Sequence, residues 1–389
     1  MGALDGLKVL DFTTLLPGPY ATLLLADLGA EVLRVSSRDK YDLVVHWPPV
    51  IEGTETTAAN AWLARNKKSI FLNLKKPAAR EAVCRLIMDY DIVVEQFRPG
   101  VMANMGLDYE SLRKYNPRLI YCSLTGYGQT GPLSMRAGHD INYMSRSGNM
   151  AAAGRKSTGP VLTNMQIADV AVGSMNTVVG ILAAVHYRNQ TGLGQSVDVS
   201  MLDGMIPFNS MDGACFLADH KPVERESQLL NGGGIYDFYE TADGQYLSVG
   251  SLEPKFFAEL CVGAGFPEWA DGKMLKTDPG LVKERLRERF RTKTRAQWIK
   301  IFEALDACVE PVMTLPEVER DPHINARNML PLVPLPNTGG RSIRQLGCPI
   351  KLSGCPAEYR HAGYPEGCHT QEILSGMGYT PEEIAQLTE

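Results

Sequence analysis

The first third of the chain alternates short apolar runs with longer amphipathic ones. Residues 7–12 have the composition of a buried strand, and the Pro-Gly-Pro turn at 17–19 is suited to opening a helix. Apolar residues then recur at helical spacing over 20–28, Gly29 ends that pattern, and 31–35 reads as a second strand. This order predicts a β-α-β unit, which favours a parallel sheet with right-handed crossovers.

The same helix-then-strand order recurs along the next hundred residues. The predicted pairs are 77–90 with 91–95, 109–115 with 119–124, and 169–187 with 195–199. We therefore predict an α/β fold built on a doubly wound parallel sheet. No GxGxxG motif follows the first strand, which disfavours a nicotinamide or flavin dinucleotide.

The pattern of apolar and polar residues changes after about residue 204. A glycine-rich break precedes two short runs, 236–239 and 245–249, that flank an Asp-Gly turn and predict a hairpin, followed by charged amphipathic helices. A Pro- and Gly-rich stretch then leads to a capping box at the C-terminal end. The predicted organisation is a large α/β domain, a linker, a small α+β domain, and an extended linker with C-terminal helices that return to the large domain, at 1–204, 205–228, 229–325 and 326–389.

Composition and charge narrow the function. Of 389 residues, 44% are hydrophobic and 21% charged, and the net charge of −5 argues against a nucleic-acid-binding protein. No uninterrupted apolar run reaches the roughly 18 residues of a membrane span, and the first residues lack a secretion-signal pattern, so we expect a cytoplasmic protein with no membrane partner. The eight cysteines form no CxxC pair and the histidines no HExxH motif, so we expect no metal site.

Three residues are candidates for chemistry. His139 stands in Gly-His-Asp-Ile-Asn-Tyr, where a glycine-rich loop meets a predicted helix, and backbone N–H groups there could stabilise an enolate oxygen. Asp169 opens an apolar helix and could be a nucleophile or a proton carrier. Glu253 follows a predicted strand. Each also has a structural interpretation, as a loop-packing histidine, a helix cap and a surface carboxylate respectively.

Basic residues also follow the predicted strands of the first domain. They are Arg34, Arg65, Lys67, Lys68 and Arg98. Ligands of open α/β sheets bind beyond the carboxyl ends of strands, so these side chains could converge on phosphates, or each could be a solvated surface charge.

Several stretches together resemble the family III CoA-transferases (the CaiB/BaiF superfamily) and, within it, the α-methylacyl-CoA racemases. The stretches shared with the whole superfamily are 4–11, 26–32, 97–101 and 191–195. The resemblance implies an acyl-CoA substrate, no prosthetic group, and a homodimer of interlocked chains. Residues 36–57 match no pattern of the family, and their role stays open.

The choice between transfer and racemisation depends on fewer residues. Family transferases use an aspartate nucleophile at the position of Asp169, and the racemases add the histidine of a Gly-His-Asp-Ile-Asn-Tyr stretch that matches 138–143. Racemase-like stretches also occur at 230–234, 239–244, 253–254 and 306–312. The resemblance therefore favours a racemase.

The resemblance also assigns roles. If the protein is a racemase, His139 and Asp169 would exchange a proton at the α-carbon of a 2-methylacyl-CoA. Glu253 would orient the imidazole, and Asp140 and Tyr143 would lie beside the substrate oxygen. Coenzyme A would be held by the five basic residues named above. The alternative is a transferase that forms an aspartyl-CoA thioester at Asp169, and a third interpretation is a CoA-binding protein without chemistry.

Overall fold

The computed structural model describes all 389 residues, which form two compact units. Unit 1 consists of Met1–Ser147, Asn164–Phe208 and Pro322–Glu389, and unit 2 of Gly148–Thr163 and Asn209–Asp321. The strands are β1 (Lys8–Asp11), β2 (Glu31–Ser36), β3 (Lys67–Phe71), β4 (Ile92–Glu95), β5 (Ile120–Thr125), β6 (Ser196–Ser200), β7 (Asp237–Glu240), β8 (Tyr246–Val249), β9 (Val309–Pro311), β10 (Leu332–Pro334) and β11 (Ser342–Arg344).

The helices alternate with the strands through most of unit 1. They are α1 (Pro17–Asp27), α2 (Ala58–Leu63), α3 (Pro77–Ile87), α4 (Val101–Asn104), α5 (Tyr109–Leu112), α6 (Asp140–Arg146), α7 (Asn149–Ala152), α8 (Met175–Thr191), α9 (Met201–Met205), α10 (Ser210–Asp219), α11 (Pro254–Ala264), α12 (Lys273–Thr277), α13 (Pro279–Phe290), α14 (Arg295–Phe302), α15 (Leu315–Arg320), α16 (Pro322–Ala326), α17 (Thr370–Gly376) and α18 (Pro381–Thr388).

Unit 1 is built on a six-stranded sheet in the order β3-β2-β1-β4-β5-β6. All five neighbouring pairs are parallel, as the recurring helix-strand order predicts. β3 was not predicted, because Lys67–Phe71 is short and begins with two lysines. Lys67 and Lys68, which were predicted to follow a strand, are therefore part of one.

Local signals explain the first crossover. α1 begins at Pro17, whose fixed φ suits the first helical position, and it ends before Gly29, whose φ is +113°. A Cβ at Gly29 would lie 2.6 Å from Asp5 Oδ1, so glycine is required by space as well as by conformation. The chain can therefore turn sharply into β2, which pairs with β1 from Lys8 opposite Glu31.

The strand order reverses between β1 and β4, which places a crevice beyond the carboxyl ends of these two strands. In open α/β sheets such a reversal is where ligands bind. The crevice here is bordered by the turn after β1, residues 12–16, and by the loop after β4, residues 96–100. Below it, fully buried side chains such as Leu10, Val93 and Ile70 form the core of the sheet.

The segment that precedes α8 is wound as a π-helix over Ile167–Ser174. Together with α8 it makes one helix, Ile167–Thr191, that is long and apolar enough to cross a membrane by length and composition alone. Within unit 1 this helix packs against β5, β6 and α1. Its wide first turns matter for the site, because π-helical turns inside longer helices are frequently found at functional positions.

Unit 2 contains the predicted hairpin, with β7 and β8 paired antiparallel from Asp237 opposite Val249. β9 adds a third strand that was not predicted, because Val309–Pro311 is very short and ends in proline. Trp298 and Phe290 are fully buried in the core of this unit. The predicted domain boundaries stay a prediction; the segment expected to be a linker, 205–228, contains α10.

Candidate active site

His139 stands immediately before α6, with an extended backbone (φ −126°, ψ 173°) and an exposed side chain. Its main-chain N–H donates to Asn142 Oδ1 at 3.0 Å, and its carbonyl accepts from the N–H of Asn142 at 2.8 Å. The imidazole is therefore presented from a fixed main chain at the start of a helix. The N–H of His139 is already bound, which leaves the N–H of Asp140 as the candidate donor for an enolate oxygen.

Tyr143 holds the loop before His139 in place. The ring is buried, and its hydroxyl donates to the carbonyl of Gly138 at 2.5 Å. A Cβ at Gly126 would lie 2.4 Å from this ring and one at Gly138 would lie 2.7 Å from it, so both glycines allow the close approach. The proton of the Tyr143 hydroxyl is thus used in this hydrogen bond, and the side chain supports the loop that carries His139.

Asp140 joins the histidine loop to the helix that carries Asp169. One Asp140 carboxylate oxygen accepts the main-chain N–H of Asp169 at 3.1 Å, and the carboxylate also accepts from the N–H of Ala168. These are unpaired donors at the beginning of the helix, which a carboxylate satisfies well. Asp140, the residue after His139, therefore links the histidine loop to the main chain at Asp169, thirty positions from His139 in the sequence.

The Asp169 carboxyl is partly buried, and its pKa is raised. Burial raises its pKa from the ordinary value of 3.8 to about 7, and the negative charge of Asp140 adds to the rise. The same burial raises the pKa of Asp140, although the two backbone N–H bonds oppose that rise. A carboxyl with a pKa near neutrality can both donate and accept a proton at physiological pH.

His139 lines a cavity of about 410 Å³, which we call the histidine cavity. It lies at the crevice between β1 and β4, and Thr14, Leu15 and Phe97 come from the loops that border the crevice. Three cationic side chains, Lys40, Arg98 and Arg136, line it as well. Asp169 is not among the lining residues; it is linked to this cavity through its main-chain bond to Asp140.

A second cavity of about 350 Å³, the distal cavity, adjoins the first. The two share the lining residues Thr14, Lys40, Asp42 and Phe97. The rest of the distal lining combines apolar side chains such as Phe12, Leu72 and Met105 with the cations Arg34 and Lys75 and the carboxylates Asp39 and Glu366. The histidine cavity and the distal cavity therefore share part of their walls.

Two of the predicted phosphate ligands lie near the surface or a cavity. Arg34 lines the distal cavity, but its guanidinium is paired with Asp42 at 2.9 Å and with Glu366 at 3.2 Å. Lys68 is exposed and pairs with Glu372 at 2.9 Å, and it lines neither cavity. Of the five predicted basic residues, Arg98 alone lines the histidine cavity.

Two other predicted phosphate ligands, Arg65 and Lys67, lie inside the protein. Arg65 is 1% exposed, and its guanidinium binds both carboxylate oxygens of Asp27 at 3.0 and 2.6 Å. Lys67 is 2% exposed and binds internal oxygens. As folded, neither presents a donor to a phosphate, so burial argues against their predicted role and favours a structural one.

Glu253 belongs to unit 2, and the other predicted residues belong to unit 1. It is the exposed residue before α11, and its side chain does not cap that helix. The assignment of Glu253 as the group that orients His139 stays a prediction.

Three charged residues of the histidine cavity were not predicted from the sequence. Lys40 and Asp42 belong to 36–57, the stretch without a family match, and Asp42 accepts the N–H of Leu15 at 3.2 Å. Arg136 stands three residues before His139, close enough to the motif for its charge to have indicated the cavity. Isolated charged residues in loops carry no periodic signal, so the sequence pattern does not single out these three.

A comparison with protein families gives one assignment over most of the chain. The family described as CoA-transferase family III matches residues 4–370. This range contains every candidate residue described above.

Individual relatives include both racemases and transferases. The chain is 34% identical to human alpha-methylacyl-CoA racemase, over 99% of this chain and 96% of the relative. It is 33% identical to human succinyl-CoA:glutarate CoA-transferase, over 99% of this chain and 88% of that protein. Among solved structures, a CAIB/BAIF family protein from Brucella suis superposes with a TM-score of 0.82 at 28% identity, covering 97% of this chain and 99% of that one.

Proposed function

The chain belongs to family III of the CoA-transferases, and we propose that within this family it is a racemase that interconverts (R)- and (S)-2-methylacyl-CoA thioesters. The observation that carries the proposal is the junction at Asp140, which ties the exposed His139 beside a cavity to the main chain of a partly buried Asp169. A transferase needs the aspartate alone. A second acid–base group held next to it is what a two-base proton transfer requires.

In the proposed reaction, His139 removes the α-proton from one face of the thioester and Asp169 returns a proton to the other. The roles are exchanged in the reverse direction. Burial raises the pKa of Asp169 to about 7, so protonated and ionised forms are both available at neutral pH. A positioned acid or base of matched pKa typically contributes about 10²–10⁴-fold to the rate.

The intermediate is an enolate, whose oxygen needs a hydrogen-bond donor. The N–H of Asp140 lies at the N-terminal end of α6, where the helix dipole also favours negative charge. One such donor can contribute about 3 kcal/mol to the transition state. Tyr143 supports this arrangement by fixing Gly138 rather than by contacting the oxygen directly.

Coenzyme A fits the two adjoining cavities in this proposal. The adenine would occupy the distal cavity, and the phosphates would lie near the cations Lys40, Arg98 and Arg136. The acyl end would then reach His139. Of the five basic residues predicted to hold coenzyme A, this assignment keeps Arg98, and it uses Lys40 and Arg136 in place of the buried Arg65 and Lys67.

The alternative is transfer of CoA between carboxylic acids through a thioester at Asp169. The similar identity to a named CoA-transferase favours it, as does the aspartate itself. In that reaction Asp169 attacks the thioester carbonyl, CoA leaves as the thiolate, and an acceptor acid resolves the covalent intermediate. His139 would then contact the substrate without exchanging a proton.

One assay separates the two reactions. The protein is incubated with a single enantiomer of a 2-methylacyl-CoA in deuterated water without an acceptor acid, and deuterium at C2 is followed by mass spectrometry together with optical purity. Racemisation predicts deuterium incorporation and loss of optical purity. His139→Ala should abolish both, whereas His186→Ala, an exposed histidine on α8, should retain them.

The results that contradict the proposal are equally specific. Absence of exchange, with CoA movement once an acid is added, would identify a transferase. Full exchange by His139→Ala would exclude the imidazole as the base.

We also propose that the protein is a cytoplasmic homodimer. None of the ten residues of α10 is buried, and Met211, Phe216 and Leu217 on it are 62%, 41% and 75% exposed. Apolar side chains grouped on one helix are a common feature of protein interfaces. Light scattering coupled to gel filtration would report the mass, and a monomer at micromolar concentration would contradict this assignment.

A further inference from the structure

Lys67 is a buried ammonium group that faces the start of α1. Its Nζ donates to the carbonyl of Pro19 at 2.8 Å and to Thr22 Oγ1 at 2.7 Å, and it lies 3.5 Å from Asp11 Oδ2. An ammonium has three donors, and all three are directed at these internal oxygens. The side chain therefore fixes the first turn of α1 from inside the protein.

Asp11 completes the same network from the end of β1. Its carboxylate accepts the N–H of Thr13 at 2.9 Å, the hydroxyl of Thr13 at 2.5 Å and the hydroxyl of Thr22 at 2.5 Å. Asp11 and Lys67 thus hold both ends of the segment Thr13–Pro19, which we call the β1 turn. Such charge-assisted bonds are stronger than neutral ones.

The β1 turn forms part of the proposed site on one side. Thr14 and Leu15 line the histidine cavity, and Thr14 also lines the distal cavity. Leu15 has a φ of +61°, a conformation that a residue other than glycine keeps only where its surroundings impose it. The N–H of Gly18 donates to Gln96 Oε1 at 3.2 Å, which ties the turn to the loop after β4.

On its other side the β1 turn contacts the helix that carries Asp169. Ser174 Oγ donates to the carbonyl of Pro17 at 2.6 Å and lies 3.1 Å from the carbonyl of Asp169. Ser174 is fully buried, so this hydroxyl has no alternative partner in water. A shift of the turn would therefore reach both the cavity wall and the π-helical segment.

We propose that Lys67 is a positioning residue for acyl-CoA binding and proton transfer, acting through Pro19 and Thr22 on the β1 turn. The inference rests on the function proposed above. It replaces the earlier assignment of Lys67 as a phosphate ligand by an indirect role in the same site. The hydrogen bonds of Lys67 are all directed at Asp11 and the start of α1. The buried Arg65 differs, because its guanidinium binds Asp27 and the carbonyl of Leu346.

Titration offers an independent readout. Burial lowers the pKa of Lys67 to about 8, a change that Asp11 and Asp27 oppose and Arg34 reinforces. Above about pH 8 the neutral amine keeps only two donors for three acceptors. CoA binding by the wild type should therefore weaken as the pH rises through this value, and this part of the pH dependence should be absent from a variant without the amine.

The test uses the full-length protein and free coenzyme A, with the dissociation constant measured by calorimetry and the melting temperature recorded in parallel. Lys67→Met removes the ammonium at similar volume, and Thr22→Val is a milder variant that removes only the hydroxyl. We expect each to weaken CoA binding, by about tenfold for Lys67→Met, because the turn loses charge-assisted bonds that hold it. Thr22→Ser, which restores the hydroxyl, should restore most of the affinity.

The matched control is Arg188→Met, which breaks another buried ion pair, with Asp91 at 2.8 Å, far along α8 from the turn. It should lower the melting temperature while leaving the CoA affinity and KM unchanged. A merely structural Lys67 would behave in the same way, so unchanged CoA affinity in folded Lys67→Met or Thr22→Val overturns the inference. A wild type that binds no CoA would overturn the proposed function and the inference together.

Discussion

Replacement of Asp169 by asparagine should stabilise the protein at alkaline pH while removing its activity. Burial and the neighbouring Asp140 raise the pKa of Asp169 from 3.8 to about 7, so the folded state binds this proton more tightly than the unfolded chain does. The group's favourable contribution is complete below the unfolded value and is lost as the pH rises through the folded one. Wild-type stability therefore carries a penalty above about pH 7 that an amide, which never ionises, avoids.

The size of this penalty follows from the shift. One pKa unit corresponds to about 1.4 kcal/mol, and roughly two of the three units accrue between pH 5 and pH 8. Because the Asp169 carboxyl is only partly buried, water screens some of the cost, and we expect about 1–2 kcal/mol. For a unit of this size, each kcal/mol corresponds to about 2–4 °C in melting temperature.

The assay compares melting temperatures of wild type and Asp169→Asn at about pH 5 and about pH 8. The difference between variant and wild type should be several degrees more favourable at the higher pH. Glu110→Gln is the control, because Glu110 is an exposed carboxylate on α5, with 71% of its side chain accessible, whose replacement should shift both values little. An Asp169→Asn protein with the same difference at both pH values would refute the reasoning that Asp169 is held in a desolvated site.

Two further predictions concern the support and the charge of the site. Tyr143→Phe should lower the free energy of unfolding by about 1 kcal/mol, because the carbonyl of Gly138 loses its donor. It should also lower kcat with little change in KM, since the loop that carries His139 loses its support. Urea denaturation measures the first effect and initial rates the second, and an unchanged kcat would contradict the role given to this hydroxyl. Arg98→Ala should raise KM for the acyl-CoA by about tenfold, with the difference shrinking at high salt, whereas Arg113→Ala on the surface should leave KM unchanged.

Much of the sheet could be predicted from the sequence because its signals are local. Pro17 and Gly29 mark the beginning and end of α1, and the apolar strands on either side repeat that pattern. β3 escaped prediction because a lysine pair at its start resembles a solvated surface, although one of the two, Lys67, is buried. Whether a charged side chain points inward depends on partners such as Asp11, which lies 56 residues away.

The candidate site was predictable only as a set of residue types. The motif around His139 and the aspartate at 169 could be chosen from the sequence, because their resemblance to a family gave them meaning. The link between their two segments could not be derived, since it depends on one carboxylate, Asp140, accepting the main-chain N–H of Asp169 from a helix far along the sequence. The cavity cations Lys40 and Arg136 belong to the loops after β2 and β5, where no periodic pattern indicates which way a side chain points.

The bond from Asp140 to the main chain of Asp169 has a consequence for how this enzyme can change over time. In the proposed reaction this link runs from the Asp140 carboxylate to main-chain atoms of the second helix, so it would persist when the residues around the acyl group are substituted. Under the proposed function, other acyl chains would then be accommodated by substitutions in the cavity walls alone. An architecture of this kind would separate the choice of acyl chain from the chemistry of the reaction.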